Sequence, residues 1–122
     1  MSFVNNLTKK EFDEEIKSTK SYMFLDFYAD WCGPCVRMNP IIDKIAQDEE
    51  LLGKVSFHKI NADFEEVLSV KFGVRGIPAF FLIETNETDQ FETIKSWVGT
   101  QDFFKLKADI LMSITAEKAI KS

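Results

Sequence analysis

The hydrophobic and polar positions of the chain fall into a repeating order of blocks. Residues 3–5 read as a short first strand. Thr8 and Glu11 have the spacing of a capping box, in which the hydroxyl and the carboxylate each satisfy the other residue's backbone amide. About ten helical residues follow, with Phe12 and Ile16 turned inward, and residues 18–21 form a polar break. Residues 22–29 are nearly all apolar, as in a strand buried on both faces. A second helix runs from Pro34 to about Glu50. Met38, Ile41, Ile42, Ile45 and Ala46 line its core side, Pro40 is expected to kink it and Gly53 to mark its end.

Residues 54–60 read as a third strand, with Val55, Phe57 and Ile60 apolar, and residues 64–72 as a short helix carrying Val67, Leu68 and Phe72. A loop with two glycines and a proline spans residues 73–78. Residues 79–83 and 91–98 form a hairpin with a long acidic tip at residues 84–90, and Gly99 ends it. Asp102 is placed to cap a last helix with Phe103, Leu106, Ile110 and Ile114 on one face, and the tail after Ala116 is expected to fray. The order β-α-β-α-β-α, hairpin, helix implies parallel strands with right-handed crossovers followed by antiparallel ones. The expected class is α/β: one mixed five-stranded sheet flanked by four helices, in a single domain over residues 1–122.

Both cysteines of the chain lie in Trp31-Cys32-Gly33-Pro34-Cys35, where the second strand hands over to the second helix. A Cys-x-x-Cys beside a βαβ pattern reads as a redox dithiol. Positions i and i+3 of a first helical turn share a face, at a Cα separation of roughly 5 Å that a disulfide accepts. At a helix N-terminus the unpaired amides and the dipole favour the thiolate, lowering a cysteine pKa from about 8.5 into a range of roughly 3.5–7.5. Pro34 suits the first helical position. Gly33 offers no side chain against an approaching backbone. A purely structural staple is disfavoured because a four-residue ring removes little unfolded-chain entropy. A zinc site is disfavoured because two cysteines and the distant His58 do not make four ligands.

Composition narrows the setting. The chain has 122 residues, 45 % of them hydrophobic, including twelve Phe, which is ample for a packed core. A net charge of −5 argues against nucleic acid, which calls for a basic patch. No apolar run is long enough for a membrane span, and the first residues lack the charged and apolar regions of a secretory signal. A reducing cytoplasm is the expected location, and the sequons at Asn6 and Asn86 carry no weight there.

The residues then point to a family. Asp26-Phe27-Tyr28-Ala29-Asp30-Trp31-Cys32-Gly33-Pro34-Cys35 resembles the active-site signature of thioredoxins. Residues 73–78, Gly-Val-Arg-Gly-Ile-Pro, resemble that family's second signature and Val98-Gly99 a third, in the family's order and across nearly the whole chain. The resemblance implies a general protein-disulfide reductase: Cys32 attacks a client disulfide and Cys35 resolves the mixed disulfide. It also implies no bound cofactor or metal, electrons from NADPH through thioredoxin reductase, and disulfide-containing clients; a monomer is expected because the docking apron is the only apolar surface the sequence argues for. The Gly-Pro pair disfavours an isomerase or an oxidant. A different class of reading is a binding subunit that clamps a larger enzyme, with the dithiol incidental.

Asp26 is the only charged residue in the apolar run 22–28, so it is read as a buried carboxyl beneath the dithiol, its pKa raised by desolvation, able to exchange a proton with Cys35. The alternative is an exposed strand residue. The resemblance pairs it with Lys59 and makes Pro78 a cis-proline facing the cysteines. Ile77 would pair with a client backbone as an added strand. Trp31, Gly76, Ile77, Val98 and Gly99 would form an apolar apron for docking. Three features depart from the family pattern: Val36 where a lysine is common, Trp97 before Val98-Gly99, and the hairpin tip with Glu84, Glu87, Asp89 and Glu92, read as a solvated edge.

Overall fold

The computed structural model describes residues 3–18 and 21–121. Its elements run β1 (Val4–Asn6), α1 (Lys9–Ser18), β2 (Tyr22–Tyr28), α2 (Gly33–Ala46), β3 (Val55–Asn61), α3 (Glu66–Lys71), β4 (Ala79–Thr85), β5 (Phe91–Val98) and α4 (Phe103–Lys121). The strands form one mixed sheet in the order β1-β3-β2-β4-β5. The first three are parallel, β4 is antiparallel to β2, and β5 is antiparallel to β4. Five strands and four helices are the architecture expected.

Successive side chains of β2 point to opposite faces, and each face has its own core. Tyr22 and Phe24 pack with Phe57, Phe80, Leu82 and Trp97 under Met38, Ile42 and Ile45 of α2 and Leu106, Ile110 and Ile114 of α4. Met23, Leu25 and Phe27 pack with Ile60 and Ile83 under Phe12 and Ile16 of α1 and Leu68 of α3. Phe72 joins that second core, its ring 5.8 Å from Phe12, 5.4 Å from Phe27, 5.0 Å from Phe81 and 5.1 Å from Phe91. Aromatic pairs at these separations add stabilisation beyond buried area, which accounts for much of the phenylalanine content.

The capping box of α1 forms as expected: Thr8 N–H donates to Glu11 Oε1 at 2.9 Å and Glu11 N–H to Thr8 Oγ1 at 3.2 Å. Of the polar break at residues 18–21, Thr19 and Lys20 lie outside the described residues, as do Met1 and Ser2 of the N-terminus. Several boundaries differ from the sequence expectation. β1 begins at Val4, whose side chain is buried, and leaves Phe3 exposed. β2 ends one residue earlier than expected, at Tyr28, and β3 lies one residue later, at Val55–Asn61. α2 ends at Ala46, not near Glu50. Asp48 turns the chain there, its carbonyl accepting from Leu51 and Leu52 and its carboxylate from the Glu50 amide at 2.9 Å. A short polar side chain that serves nearby amides in this way competes with helix. Gly53, at φ +82°, ends that turn rather than the helix. Pro40 lies within α2 on its exposed side.

α3 is only six residues long and turns Leu68 inward, leaving Val67 and Val70 exposed. The hairpin tip is shorter than expected, residues 86–90. β4 continues to Thr85, which pairs with Phe91, while Glu84 pairs with Glu92 inside the ladder. The reason is Thr85, whose amide and hydroxyl both donate to the Ser21 carbonyl and whose oxygen accepts from the Ser21 amide at 3.0 Å. Asp102 caps α4 by accepting from the Lys105 amide at 3.0 Å, and that helix runs on to Lys121 instead of fraying after Ala116.

One buried residue gives the fold an acid limit. His58 on β3 is buried, with Nε2 3.0 Å from Ser56 Oγ and Nδ1 without a partner. Desolvation pushes its pKa down to about 4 from 6.5. The folded chain then holds His58 neutral while the unfolded chain protonates it, so this contribution is whole above pH 6.5 and is lost as pH falls toward 4. At 1.36 kcal/mol per unit the loss is roughly 3 kcal/mol. Urea titrations are expected to show His58→Leu gaining stability relative to the parent as pH falls from 7 to 4. A difference between the two that does not change with pH would assign the loss elsewhere.

Candidate functional site

Cys32 stands at the N-cap of α2 with extended backbone, φ −85° and ψ 105°, while Gly33 and Pro34 occupy the first helical turn ahead of Cys35. Pro34 is thus the second helical residue rather than the first, where its missing amide still leaves no orphan donor. The two cysteines are joined by a disulfide, with Cα atoms 5.2 Å apart. The Cys35 amide points at Cys32 Sγ, 3.2 Å away. An N-cap side chain that accepts an amide of the first turn is a normal helix start, and here the acceptor is sulfur. In the reduced protein the same amide and the helix dipole favour a thiolate at Cys32. Cys35 is buried to the same degree as Cys32, and both belong to one cluster with Ala29, Tyr28 and Ile77.

Cys32 is itself 4 % exposed, although its neighbours Trp31 and Gly33 are open to solvent. The sulfur sits just beneath the surface, 3.9 Å from the Ile77 carbonyl, with the Ile77 side chain packed beside it. The Ile77–Pro78 bond is cis, as the family resemblance implies. Pro78 is buried against the end of the hairpin: its carbonyl accepts from the Gly99 amide at 2.8 Å, and Gly99, at φ +85°, makes the turn that brings it there. Gly76 faces Val98, since a methyl group on Gly76 would lie 3.6 Å from Val98 Cγ1. The structure therefore brings Gly76 and Pro78 to Val98 and Gly99, with Ile77 between them in contact with Cys32. Trp31 is 73 % exposed, and its indole N–H donates to Asp63 Oδ2 at 2.8 Å, so it is held at the surface and not in the core.

Asp26 lies on the face of β2 that α2 covers and is 1 % exposed, with Oδ1 lacking any hydrogen-bond partner. Burial raises its pKa from 3.8 to about 7; Lys59 opposes that rise and Asp43 adds to it. Asp26 and Lys59 are register partners on adjacent parallel strands. They do not form an ion pair, however. The Lys59 ammonium donates to Asn39 Oδ1 at 2.7 Å and lies 4.5 Å from the centre of the Tyr28 ring. A cleft of about 430 Å³ opens here, lined by Cys35, Val36, Asn39, Asp43, Tyr28 and Lys59 among others.

Two departures resolve structurally. Trp97 packs instead of enlarging the apron: it is buried against Phe24 at 5.9 Å and donates its indole N–H to Asp109 at 3.1 Å. Val36 does not leave the site without a cation, because Arg37 lies beside Gly33, where an added methyl would meet its Nη1 at 3.4 Å. Arg37, Asn39 and Asp43 were not singled out in the sequence. They fall on the polar side of α2, and only the packing of α2 on β3 marks Asn39 and Asp43. Among the described residues no group of three or more His, Cys, Asp or Glu side chains could hold a metal ion, and no helix is long and apolar enough to cross a membrane.

A family model described as Thioredoxin matches residues 3–111. The chain belongs to the thioredoxin family. It is 39 % identical over 83 residues to a thioredoxin of Rickettsia felis, covering 68 % of this chain and 77 % of that one. A Pseudomonas aeruginosa thioredoxin is 32 % identical over 84 residues, covering 69 % and 76 %. Among solved structures, Trichomonas vaginalis thioredoxin superposes with a TM-score of 0.73 at 30 % identity, covering 90 % of this chain and 96 % of that one. Malassezia sympodialis thioredoxin does so with a TM-score of 0.75 at 26 % identity, covering 93 % and 92 %. With its disulfide pair in the family's active-site position, the chain is a protein-disulfide oxidoreductase working by dithiol–disulfide exchange.

Proposed function

We propose that the chain is a general reductant of protein disulfides, acting as a monomeric single domain in the cytoplasm and recharged from NADPH by thioredoxin reductase. The observation that carries this reading is the N-cap position of Cys32, with an amide aimed at its sulfur and Cys35 one turn behind. The Cys32 thiolate attacks one sulfur of a client disulfide. A Cys32–client bond forms and one client thiolate leaves. Cys35 then gives its proton to the Asp26 carboxylate and attacks Cys32 Sγ. The second client thiolate leaves and the Cys32–Cys35 bond closes, so two electrons have passed to the client.

Asp26 is the proton acceptor in this scheme, and a carboxyl with a pKa of about 7 is matched to that work near neutral pH. Lys59 biases its charge. Pro78 has no amide to compete with the docking strand, so Ile77 offers the backbone contact. Trp31, Gly76, Val98 and Gly99 supply the apolar apron beside the sulfur.

Insulin reduction followed by turbidity tests the reading. With NADPH and thioredoxin reductase the parent is expected to precipitate the insulin B chain, and Asp26→Asn to slow the reaction with a flattened pH profile around 7. Insulin reduced with a chemical dithiol but not with the reductase would remove the NADPH route. An unchanged Asp26→Asn profile would remove the proton acceptor.

A further inference from the structure

Lys59 is surrounded by acids and paired with none. Asp26 is its register partner on β2, and Asp30 and Asp43 line the same cleft. Among the described residues Lys59 nevertheless makes no salt bridge. Its ammonium is held by two neutral groups, Asn39 Oδ1 at 2.7 Å and the Tyr28 ring at 4.5 Å. The Tyr28 hydroxyl is 3.5 Å from Asn6 Oδ1, which anchors that ring. Asn39 is on α2, two residues before the stripe Ile41–Ile42, and is part-buried in the cleft wall.

The arrangement has a consequence for the carboxyl beneath α2. A lysine this close in register would normally swing to a buried, unpartnered carboxylate, since an isolated buried charge is costly. A hydrogen bond and a cation–π contact together hold it elsewhere. We propose that Asn39 is a positioning residue that tethers Lys59 against Tyr28 and so keeps it from forming an ion pair with Asp26. The inference rests on the reading of Asp26 as proton acceptor for its functional meaning, but its geometry is testable without turnover.

The groups that bear on Asp26 can be named by element. β3 contributes Lys59 and α2 contributes Asp43, while β2 itself contributes Tyr28. β4 places Phe80 opposite, which carries no charge. Of these only Lys59 would favour the ionised carboxyl, and Asn39 controls where it lies.

The experiment follows the Asp26 carboxyl carbon by NMR through a pH titration of the oxidised protein. Asn39→Ala frees the ammonium and is expected to lower the Asp26 midpoint by about one unit, as an approaching cation does. Asn39→Asp binds Lys59 more strongly and is expected to leave the midpoint unchanged or raised. In a Lys59→Met background, Asn39→Ala should produce no shift, because the residue acts only through the lysine. Alanine is the best helix former, so the first variant keeps α2. An unmoved midpoint in Asn39→Ala, or the same shift with and without Lys59, overturns the proposal. Failure of the Asp26→Asn turnover test, by contrast, would leave these midpoints as they are and overturn only the proton-acceptor reading.

Discussion

Cys35→Ser is expected to turn the chain into a covalent trap for its clients, and Cys32→Ser to abolish reaction with them. The asymmetry follows from where the two sulfurs sit. Cys32 is the N-cap, with the Cys35 amide 3.2 Å from its sulfur, so its thiolate is stabilised before any client arrives. Cys35 lies inside the first turn and is backed by Ala29 and Tyr28. Its sulfur is joined to that of Cys32, so it is placed to attack what Cys32 holds. Resolution by Cys35 is intramolecular, and well-oriented pairs reach effective molarities of roughly 10⁵–10⁸ M. Removing Cys35 leaves the mixed disulfide to external thiols at millimolar concentration, so its lifetime should rise about a thousandfold or more. Non-reducing gels of Cys35→Ser incubated with a cystine-containing protein should show a persistent adduct that dithiothreitol releases. Adducts on Cys32→Ser, with none on Cys35→Ser, would reverse the order of attack.

The disulfide pair was legible in the chain because a Cys-x-x-Cys at a strand-to-helix junction permits few other geometries. β2 was legible for a similar reason: a run as apolar as Tyr22–Tyr28 fits a strand covered on both sides, and of the two readings of Asp26, buried or exposed, the structure has the buried one. What the sequence hid depends on packing between segments far apart in the chain. Asn39 and Asp43 look like any solvated helix side until β3 places Lys59 beneath them. The end of α2 was hidden because Asp48 cannot be told from a helical acid until its carboxylate is seen on the Glu50 amide. Val67 was grouped with Leu68 and Phe72 yet is exposed, because six residues are too few for the 3.6-residue period to declare a face. Glu84 looked like part of a loose tip because nothing local says that Thr85 is tied to Ser21. The cover over Cys32 was hidden as well, since Ile77 arrives from forty-five residues further along the chain.

Asp26→Asn is expected to raise stability at neutral and alkaline pH while it slows exchange. The folded chain holds Asp26 with a pKa of about 7, against 3.8 for the unfolded group. Between these values the folded state keeps a proton that the unfolded state has released, so the stability Asp26 gives below pH 4 is lost as pH rises through 7. A shift of this size corresponds to roughly 4 kcal/mol at 1.36 kcal/mol per unit. An asparagine of the same shape carries no charge to bury, and Oδ1 has no hydrogen bond to lose. At pH 8 the oxidised variant should therefore melt about 10 °C above the parent, allowing for relaxation around the carboxylate. His58 makes the comparison sharper. Its pKa is depressed to about 4, so its contribution falls with acid over much of the range in which that of Asp26 grows. In the parent the two opposed terms largely cancel between pH 4 and 6.5, and the stability curve is shallow there. Asp26→Asn removes one of them, and the curve should acquire an acid limb that His58→Leu then flattens. Equal melting temperatures for parent and Asp26→Asn at pH 8 would mean that the carboxylate is solvated in place, and the raised pKa on which both its cost and its use depend would go with it.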